Sequence, residues 1–86
     1  MIDNYMLYKN LPTLDLHGEI RFIALVLTDE FIKDNLKLGN KLIIIIHGIW
    51  QGILKENIHK FLKNKKEVKA YKTDIFNPGM TIIEIV

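Results

Sequence analysis

Apolar and polar residues alternate with two different periods along this chain, and the changes of period predict where strands and helices lie. Between Thr13 and His17 the period is two, which predicts a short strand with Asp15 and His17 on the same face. The run from Leu42 to Ile46 is apolar at every position and mostly β-branched, which is typical of a strand buried on both faces.

Apolar residues at helical spacing predict two helices, one after each of these strands. The first runs from about Glu19 to Leu36, with Gly39 as its stop, and the second begins after Gly52 and ends near Asn64. The first helix is expected to cover the sheet with Ile20, Ile23, Ala24, Leu27 and Phe31. The second is expected to turn inward Leu54, Ile58, Phe61 and Leu62, with His59 on its solvated side.

The remaining quarter of the chain predicts a hairpin. Residues 67–74 alternate as a strand, Asn77-Pro78-Gly79 has type II turn chemistry, and residues 81–86 form a last strand. The order βαβαββ predicts an α/β fold, a two-layer sandwich in which two helices pack on a mixed four-stranded sheet. We assign residues 12–86 to this domain and residues 1–11, which have no clean period, to an N-terminal arm that packs on the domain or on a partner.

Both of the first two strands end in the dipeptide His-Gly, at His17-Gly18 and His47-Gly48. Two strands joined through a helix are expected to be parallel, so that their carboxyl ends meet at one rim of the sheet. Ligands of open α/β sheets bind at that rim. The sequence therefore predicts a composite site that contains Asp15, both histidines and the turns after them.

Composition narrows the chemistry that such a site can perform. The 86 residues suffice for one small domain and include no cysteine and no serine, which excludes thiol and serine nucleophiles, disulfides and thiolate metal sites. A catalytic domain of this kind has to use His, Asp, Glu, Lys or Tyr, or a metal bound by imidazole and carboxylate. No apolar run has the length of a membrane helix and no signal peptide is evident, so we expect a cytoplasmic protein.

Positive charge is concentrated in one segment of the chain. Residues 55–72 contain seven lysines against two glutamates, a net charge of +5, whereas the whole chain has a net charge of +2. Such a stripe is either a phosphate-binding surface or the solvated face of a lysine-rich helix. The lysines for which we consider phosphate contact are Lys55, Lys60, Lys63, Lys65, Lys66 and Lys69.

Three motifs together resemble the Smr domain, the small MutS-related family, across about residues 12–86. The first is Leu14-Asp15-Leu16-His17-Gly18, a complete match to the family's L-D-x-H-G. The second, residues 47–55, keeps the His-Gly, the last glycine and the leucine of H-G-x-G-x-G-x-L-R, but has Trp50 in place of a glycine and Lys55 in place of the arginine. The third is the closing glycine turn and apolar strand, residues 78–85.

This resemblance implies nucleic-acid binding, and in several members an endonuclease activity that nicks DNA or cleaves RNA on stalled or collided ribosomes. It implies that Asp15 and His17 are the catalytic or substrate-positioning pair and that the loop from His47 to Gly52 holds the nucleic-acid backbone. It also implies a fold like the C-terminal domain of bacterial translation initiation factor three. The expected partner is DNA or RNA, with ribosome association possible, and the expected state is a monomer or weak homodimer.

The residues of the second motif allow more than one role. His47 can donate to a phosphate, serve as a second proton-transfer group, or close the turn into the helix. Gly48 and Gly52 permit close approach of a phosphate to the helix start, or form an ordinary tight turn. Trp50 can stack on an unpaired base or fill core space. No metal site is predicted, and Mg²⁺ remains only an option, because it prefers oxygen ligands and the composite site offers one carboxylate, Asp15.

Two other functions remain open at this stage. The altered second motif favours a non-catalytic module that binds nucleic acid or a ribosome-associated partner. The other alternative is an unrelated small α/β interaction module in which the His-Gly turns are structural.

Overall fold

A computed structural model describes residues 10–49 and 52–86 of the chain. It contains six elements in the predicted order βαβαββ: β1 (Thr13–Asp15), α1 (Arg21–Leu38), β2 (Leu42–Ile46), α2 (Ile53–Lys63), β3 (Val68–Thr73) and β4 (Met80–Ile85). The first strand is shorter than predicted, since it ends at Asp15. The chain turns immediately afterwards, where Gly18 has a φ of +79°, a conformation that glycine adopts without strain.

The four strands form one mixed sheet in the order β1-β2-β4-β3. The pair β1 and β2 is parallel, as predicted from the helix between them, with Asp15 opposite Ile46. The pair β3 and β4 is the predicted antiparallel hairpin. The centre of the sheet is the antiparallel pair β2 and β4, in which Ile46 lies opposite Met80. The carboxyl ends of β1 and β2 and the hairpin turn before β4 therefore lie at the same rim.

Both helices pack on one face of the sheet, so the two-layer prediction is confirmed. The core on this face contains Ile43 and Ile45 of β2 and includes Ile58 of α2. The opposite face has a second apolar cluster around Ile44 and Ile82, to which Leu11 contributes. The prediction that β2 is buried on both faces is therefore also confirmed.

The buried stripe of α1 agrees with the predicted one in part, since Ala24 is buried and Leu27 and Phe31 pack against the core, as predicted. Its buried residues are Ala24, Thr28, Ile32 and Asn35, whereas Ile20 and Ile23 are exposed. Thr28 donates a hydrogen bond to the carbonyl of Ala24, and Asn35 donates one to the carbonyl of Phe31. These bonds satisfy the two polar side chains inside the helix, which lets them face the core at little cost.

The hairpin turn from Asn77 to Met80 is present but is not of type II. The amide of Met80 donates to the carbonyl of Asn77 at 3.0 Å, yet Gly79 does not have the positive φ that a type II turn requires. Space explains the glycine instead: a Cβ on Gly79 would lie 3.0 Å from the carbonyl carbon of Gly48 and 3.1 Å from Cγ2 of Ile49. This turn therefore packs directly against the second His-Gly turn.

In the described ranges, 10–49 and 52–86, neither helix combines the length and apolar character needed to cross a membrane. The predicted arm, residues 1–11, lies almost entirely outside these ranges. Its last residue, Leu11, packs against the Ile44 cluster, and its carbonyl accepts a hydrogen bond from the Thr13 hydroxyl at 3.0 Å.

Candidate nucleic-acid interface

A cleft of about 720 Å³ opens where β1 and β2 end and α2 begins. We call it the His17 cleft; its walls include His17, Gly18, Glu19, Arg21, Ile46, His47, Gly48, Ile49, Ile53, Leu54 and Asn57. The two His-Gly turns lie side by side, since a Cβ placed on Gly48 would lie 3.4 Å from Cβ of His17. The predicted juxtaposition of the two turns at one rim is confirmed.

Asp15 and His17 form a hydrogen-bonded pair at the edge of this cleft. Nδ1 of His17 lies 2.6 Å from Oδ1 of Asp15, and the backbone amide of His17 donates to the same oxygen at 3.1 Å. The side chain of His17 is 71% exposed and that of Asp15 is 52% exposed. Hydrogen bonding to Asp15 raises the pKa of His17, and hydrogen bonding to His17 lowers the pKa of Asp15. The carboxylate thus stabilises the imidazolium.

The hydrogen bonds also orient the His17 ring. Because an ionised carboxylate only accepts, Nδ1 of His17 carries the proton in the pair. Nε2 of His17 has no hydrogen-bond partner among the described residues, and the side chain is exposed at the cleft. An imidazole held in this way presents Nε2 for proton transfer to or from a bound molecule.

The second histidine is in a very different environment. His47 is buried, with 4% of its surface exposed, and both of its ring nitrogens have partners. Nδ1 lies 2.9 Å from the carbonyl of Gly48, and Nε2 lies 2.8 Å from the hydroxyl of Thr81. Burial lowers the pKa of His47. His47 is therefore neutral at pH 7 and ties its own turn to β4.

A third histidine joins this network, and the sequence prediction for it is wrong. His59 was expected on the solvated side of α2, but it is half-buried, and its Nε2 lies 2.7 Å from the Thr81 hydroxyl. Its ring also packs edge-on against Tyr71, with centroids 4.9 Å apart. Burial lowers the pKa of His59, and the positive charge of a protonated His47 would lower it further.

The directions of these hydrogen bonds follow from the chemistry of each partner. A carbonyl only accepts, so Nδ1 of His47 carries the proton and its Nε2 accepts the hydroxyl hydrogen of Thr81. The Thr81 oxygen then accepts from Nε2 of His59, which must be protonated. We call this ordered set the His59–Thr81–His47 chain. Thr81 is fully buried, at 0% exposure, and connects the two rings.

The second His-Gly turn is held by the backbone of the hairpin as well. The amides of His47 and Gly48 both donate to the carbonyl of Gly79, at 2.9 and 3.0 Å. Gly48 has a φ of +83°. The sequence predicted the glycine-rich turns, but not that Gly79, which is distant in sequence, would fix the position of His47.

The start of α2 provides amide groups at the His17 cleft. Gly52 precedes the helix with a φ of +71°, and no side chain among the described residues caps it. The cleft is lined there by Ile53, Leu54 and Asn57. Free amides at a helix start attract an anion. Arg21, the single arginine of the chain, lines the same cleft and was not singled out by sequence analysis.

Five of the seven lysines in the stripe line a second cleft or form ion pairs with residues outside it. Lys55, Lys60 and Lys63 line a second cleft of about 410 Å³ between α2 and β3, which we call the basic cleft; its other lining residues are Gly52, Glu56, His59 and Tyr71. Lys65, by contrast, binds Asp29 and Glu67, and Lys69 lies 3.7 Å from Glu84. Lys65 and Lys69 are thus paired with carboxylates, as is Lys60 of the basic cleft, which lies 3.7 Å from Glu56.

Two further expectations concern Trp50 and a metal ion. Trp50, predicted to stack on a base or fill the core, lies outside the described residues. Within residues 10–49 and 52–86, no group of three or more His, Asp or Glu side chains is placed to hold a metal ion. The donor set does not fit a resident Mg²⁺, and we derive no step through one.

Comparison with known proteins gives a consistent result. The family model described as the Smr domain matches residues 14–85. Among curated relatives, Endonuclease MutS2 of Caldanaerobacter subterraneus subsp. tengcongensis is 35% identical over 86% of this chain, and Endonuclease MutS2 of Pediococcus pentosaceus is 39% identical over 78% of it. The match covers 10% and 8% of those two proteins, so the chain corresponds to a small part of each.

Solved structures agree with the fold. The Smr domain of Thermus thermophilus MutS2 superposes with a TM-score of 0.86 at 23% identity, covering 88% of this chain and 99% of that one. YdaL of Escherichia coli, a stand-alone small MutS-related protein, superposes with a TM-score of 0.83 at 21% identity, covering 91% and 66%.

Proposed function

Since this chain belongs to the Smr domain family, we propose that it binds nucleic acid and cleaves a phosphodiester with the Asp15–His17 pair. The observation that carries the proposal is the 2.6 Å contact between Nδ1 of His17 and Oδ1 of Asp15 at the His17 cleft, with Nε2 of His17 unoccupied by described residues. Relatives named as endonucleases share this region of sequence.

The chemistry assigned to the pair is acid–base catalysis. Neutral His17 takes a proton at Nε2 from the attacking hydroxyl, which is the ribose 2′-OH in RNA or a water molecule in DNA. Asp15 stabilises the resulting imidazolium, and this is the direction in which it raises the pKa of His17. The imidazolium can then return the proton to the leaving oxygen. Positioned acid–base groups of this type contribute about 10² to 10⁴ in rate.

Phosphate binding in the His17 cleft is assigned to Arg21 and to the amides at the start of α2. A guanidinium can bind two phosphate oxygens at once, and helix-start amides favour an anion. Gly48 and Gly52 keep side chains away from this position. His47 has no free ring nitrogen, so we assign it to holding the turn of Gly48 rather than to contact with the reacting atoms.

The wider interface consists of Trp50 and the lysines of the basic cleft. We propose that Trp50 stacks on an unpaired base and that Lys55, Lys60 and Lys63 bind phosphates. Trp50→Gly should then weaken binding to single strands, and an unchanged affinity would refute the stacking role. In this proposal residues 12–86 form the nucleic-acid-binding domain and residues 1–11 form an arm. The domain acts in the cytoplasm and binds DNA or RNA, including RNA on ribosomes.

The test is a cleavage assay with the purified domain and its His17→Ala variant. End-labelled single-stranded RNA, duplex DNA and supercoiled plasmid are each incubated with magnesium or with a chelator. Cleavage by the parent that is lost in His17→Ala establishes the nuclease, its substrate and its metal requirement. Cleavage that persists in a folded His17→Ala variant would contradict the assignment.

A second candidate function is a non-catalytic nucleic-acid-binding module. Its support is the burial of His47 with both nitrogens bonded, which leaves His17 as the one imidazole available at the His17 cleft. Trp50 and Lys55, which replace the usual glycine and arginine, point the same way. Binding to labelled strands without cleavage under any of the conditions above would favour this function.

A further inference from the structure

The basic cleft is separate from the His17 cleft, yet His59 and Thr81 link the two. His59 lines the basic cleft, His47 lines the His17 cleft, and the Thr81 hydroxyl lies between their rings. The ring centroids of the two histidines are 6.0 Å apart. A half-buried imidazole among three lysines needs a reason, because neutral apolar residues would pack there at lower cost.

The hydrogen-bond directions show which nitrogen of His59 is available. Nε2 of His59 donates to Thr81, and Nδ1 has no hydrogen-bond partner among the described residues. In the neutral ring Nδ1 is unprotonated. A proton added there converts His59 to a cation without disturbing the His59–Thr81–His47 chain, because Nε2 keeps its hydrogen and its acceptor.

We propose that the basic cleft is a second phosphate-binding site, in which His59 takes up a proton at Nδ1 and binds a phosphate together with Lys55, Lys60 and Lys63. The ligand class is a phosphate group of a single-stranded nucleic acid, outside the position assigned to the reacting phosphodiester. This inference deepens the proposed function and rests on it for the identity of the polymer.

Charge and space support a phosphate as the occupant. The cleft has a volume of about 410 Å³ and brings three ammonium groups and one imidazole to one surface, with Glu56 as the one carboxylate among the described residues that line it. Glu56 lies 3.7 Å from Lys60, and both of these side chains are at least 70% exposed, so they can separate when an anion arrives. Tyr71, from β3, closes the other side and supports the His59 ring.

The site should respond to pH in a defined direction. The groups that face His59 are Lys55, Lys60, Lys63 and Glu56 of α2, Tyr71 of β3, and His47 across Thr81. In the free protein burial keeps His59 neutral at pH 7. A bound phosphate favours the imidazolium, so binding should take up a proton and strengthen as pH falls through the pKa of His59.

The decisive experiment is an imidazole NMR titration of the isotopically labelled domain at constant ionic strength. Three probes are added in separate series: inorganic phosphate, a short single-stranded oligonucleotide with a 5′-phosphate, and the same oligonucleotide without it. We expect the oligonucleotides to raise the pKa of His59 and to place the proton on Nδ1. An effect of both assigns the site to internal phosphodiesters, whereas an effect of the phosphorylated one and inorganic phosphate alone assigns it to a chain end.

Variants distinguish a specific phosphate site from a general electrostatic attraction of nucleic acid to surface lysines. His59→Gln keeps an amide that can donate to Thr81 but cannot be protonated, so the gain in affinity between about pH 8 and about pH 5.5 should be smaller than in the parent, and the remaining gain comes from His17. Lys63→Ala should weaken binding by about tenfold, the size expected for loss of one charged hydrogen bond. Lys37→Ala is the matched control, because Lys37 is also a lysine of a last helical turn but lines neither cleft.

The outcomes distinguish failure of this inference from failure of the nuclease. If no probe changes the pKa of His59, or if His59→Gln retains the full pH dependence, the second phosphate site does not exist, whatever the cleavage assay shows. If the probes raise the pKa of His59 in a domain that cleaves none of the substrates, the second phosphate site is supported and the proposed nuclease activity is contradicted.

Discussion

The two His-Gly turns share one dipeptide, follow parallel neighbouring strands and lie side by side, yet their histidines have opposite environments. His17 is exposed, bonded through one nitrogen to a carboxylate, and its pKa is raised. His47 is 4% exposed, bonded through both nitrogens to neutral groups, and its pKa is lowered. One imidazole is prepared to exchange protons, and the other is prepared to stay neutral.

The difference originates in the strands that carry the turns. β1 is an edge strand of three residues, so the chain leaves the sheet at Asp15 and its carboxylate folds back onto the next turn. β2 lies inside the sheet beside β4, and both Thr81 of β4 and Gly79, which precedes β4, bond to the second turn. A repeated motif therefore fixes where a histidine lies, whereas its neighbours decide its chemistry.

The largest effect expected from breaking this comparison is loss of cleavage in His17→Ala. The rate should fall by at least about 100-fold, the lower range for removal of an acid–base group. Because the side chain is exposed, the free energy of unfolding should change by no more than about 0.5 kcal/mol. Cleavage kinetics and urea denaturation of the same preparations measure both quantities.

Thr81→Val should have the complementary effect, a loss of stability. It removes the hydroxyl on which Nε2 of His47 and Nε2 of His59 both depend, and leaves a buried acceptor without a donor. The expected cost is about 1 to 3 kcal/mol in the free energy of unfolding. Urea denaturation checks it against Thr13→Val, an exposed strand threonine that should cost less than about 0.5 kcal/mol. Equal stabilities for the two variants would contradict a stabilising role for the His59–Thr81–His47 chain.

Asp15→Asn replaces the carboxylate beside His17 with a neutral group, so that His17, like His47, has only neutral hydrogen-bond partners. Loss of the carboxylate should lower the pKa of His17, and the rising limb of the cleavage profile should move to lower pH. We expect the rate at its optimum to fall by about tenfold, because the imidazolium that forms during the reaction loses its stabilising charge. A pH–rate profile that does not move would show that Asp15 does not control His17.

The smallest effect is a difference in titration among the three histidines. NMR should show His17 titrating above its ordinary value of 6.5, and His47 and His59 below it. Where the folded pKa is lowered, the unfolded chain binds more protons, so the buried pair makes the domain less stable as pH falls through 6.5 towards their folded values. His17 acts in the opposite sense, since its stabilising contribution is complete below 6.5 and is lost as pH rises through its folded pKa. Identical midpoints would contradict the comparison.

Local patterns predicted most of the fold. The apolar run of β2, the crossover through α1 and the hairpin of β3 and β4 are encoded by residues near one another, and all three are present. The buried stripe of α1 was predicted in part, at Ala24, Leu27 and Phe31. Apolar residues occur around most of that helix, so Ile23 fitted a stripe as well as Ile32 did.

The candidate site was predictable only where its contacts are local. Asp15 and His17 are two residues apart, and their pairing follows from the strand period and the turn. His59 meets Thr81 across 22 residues, and His47 meets it across 34. No short-range signal marks a threonine in β4 as the link between two imidazoles.

The Gly79 carbonyl accepts hydrogen bonds from the amides of His47 and Gly48. We expect these long-range bonds to form later in folding than the contact between Asp15 and His17. The contact between Asp15 and His17 closes a loop of two residues and can form in a chain that is still largely unfolded. The second turn is held only once the loop from β2 to β4 has closed, and the entropy of closing a loop grows with its length. A partly folded chain would thus carry the acid–base pair without the cleft that receives a substrate. Cleavage activity should consequently appear in step with the docking of β4, late in refolding rather than with the first helical structure.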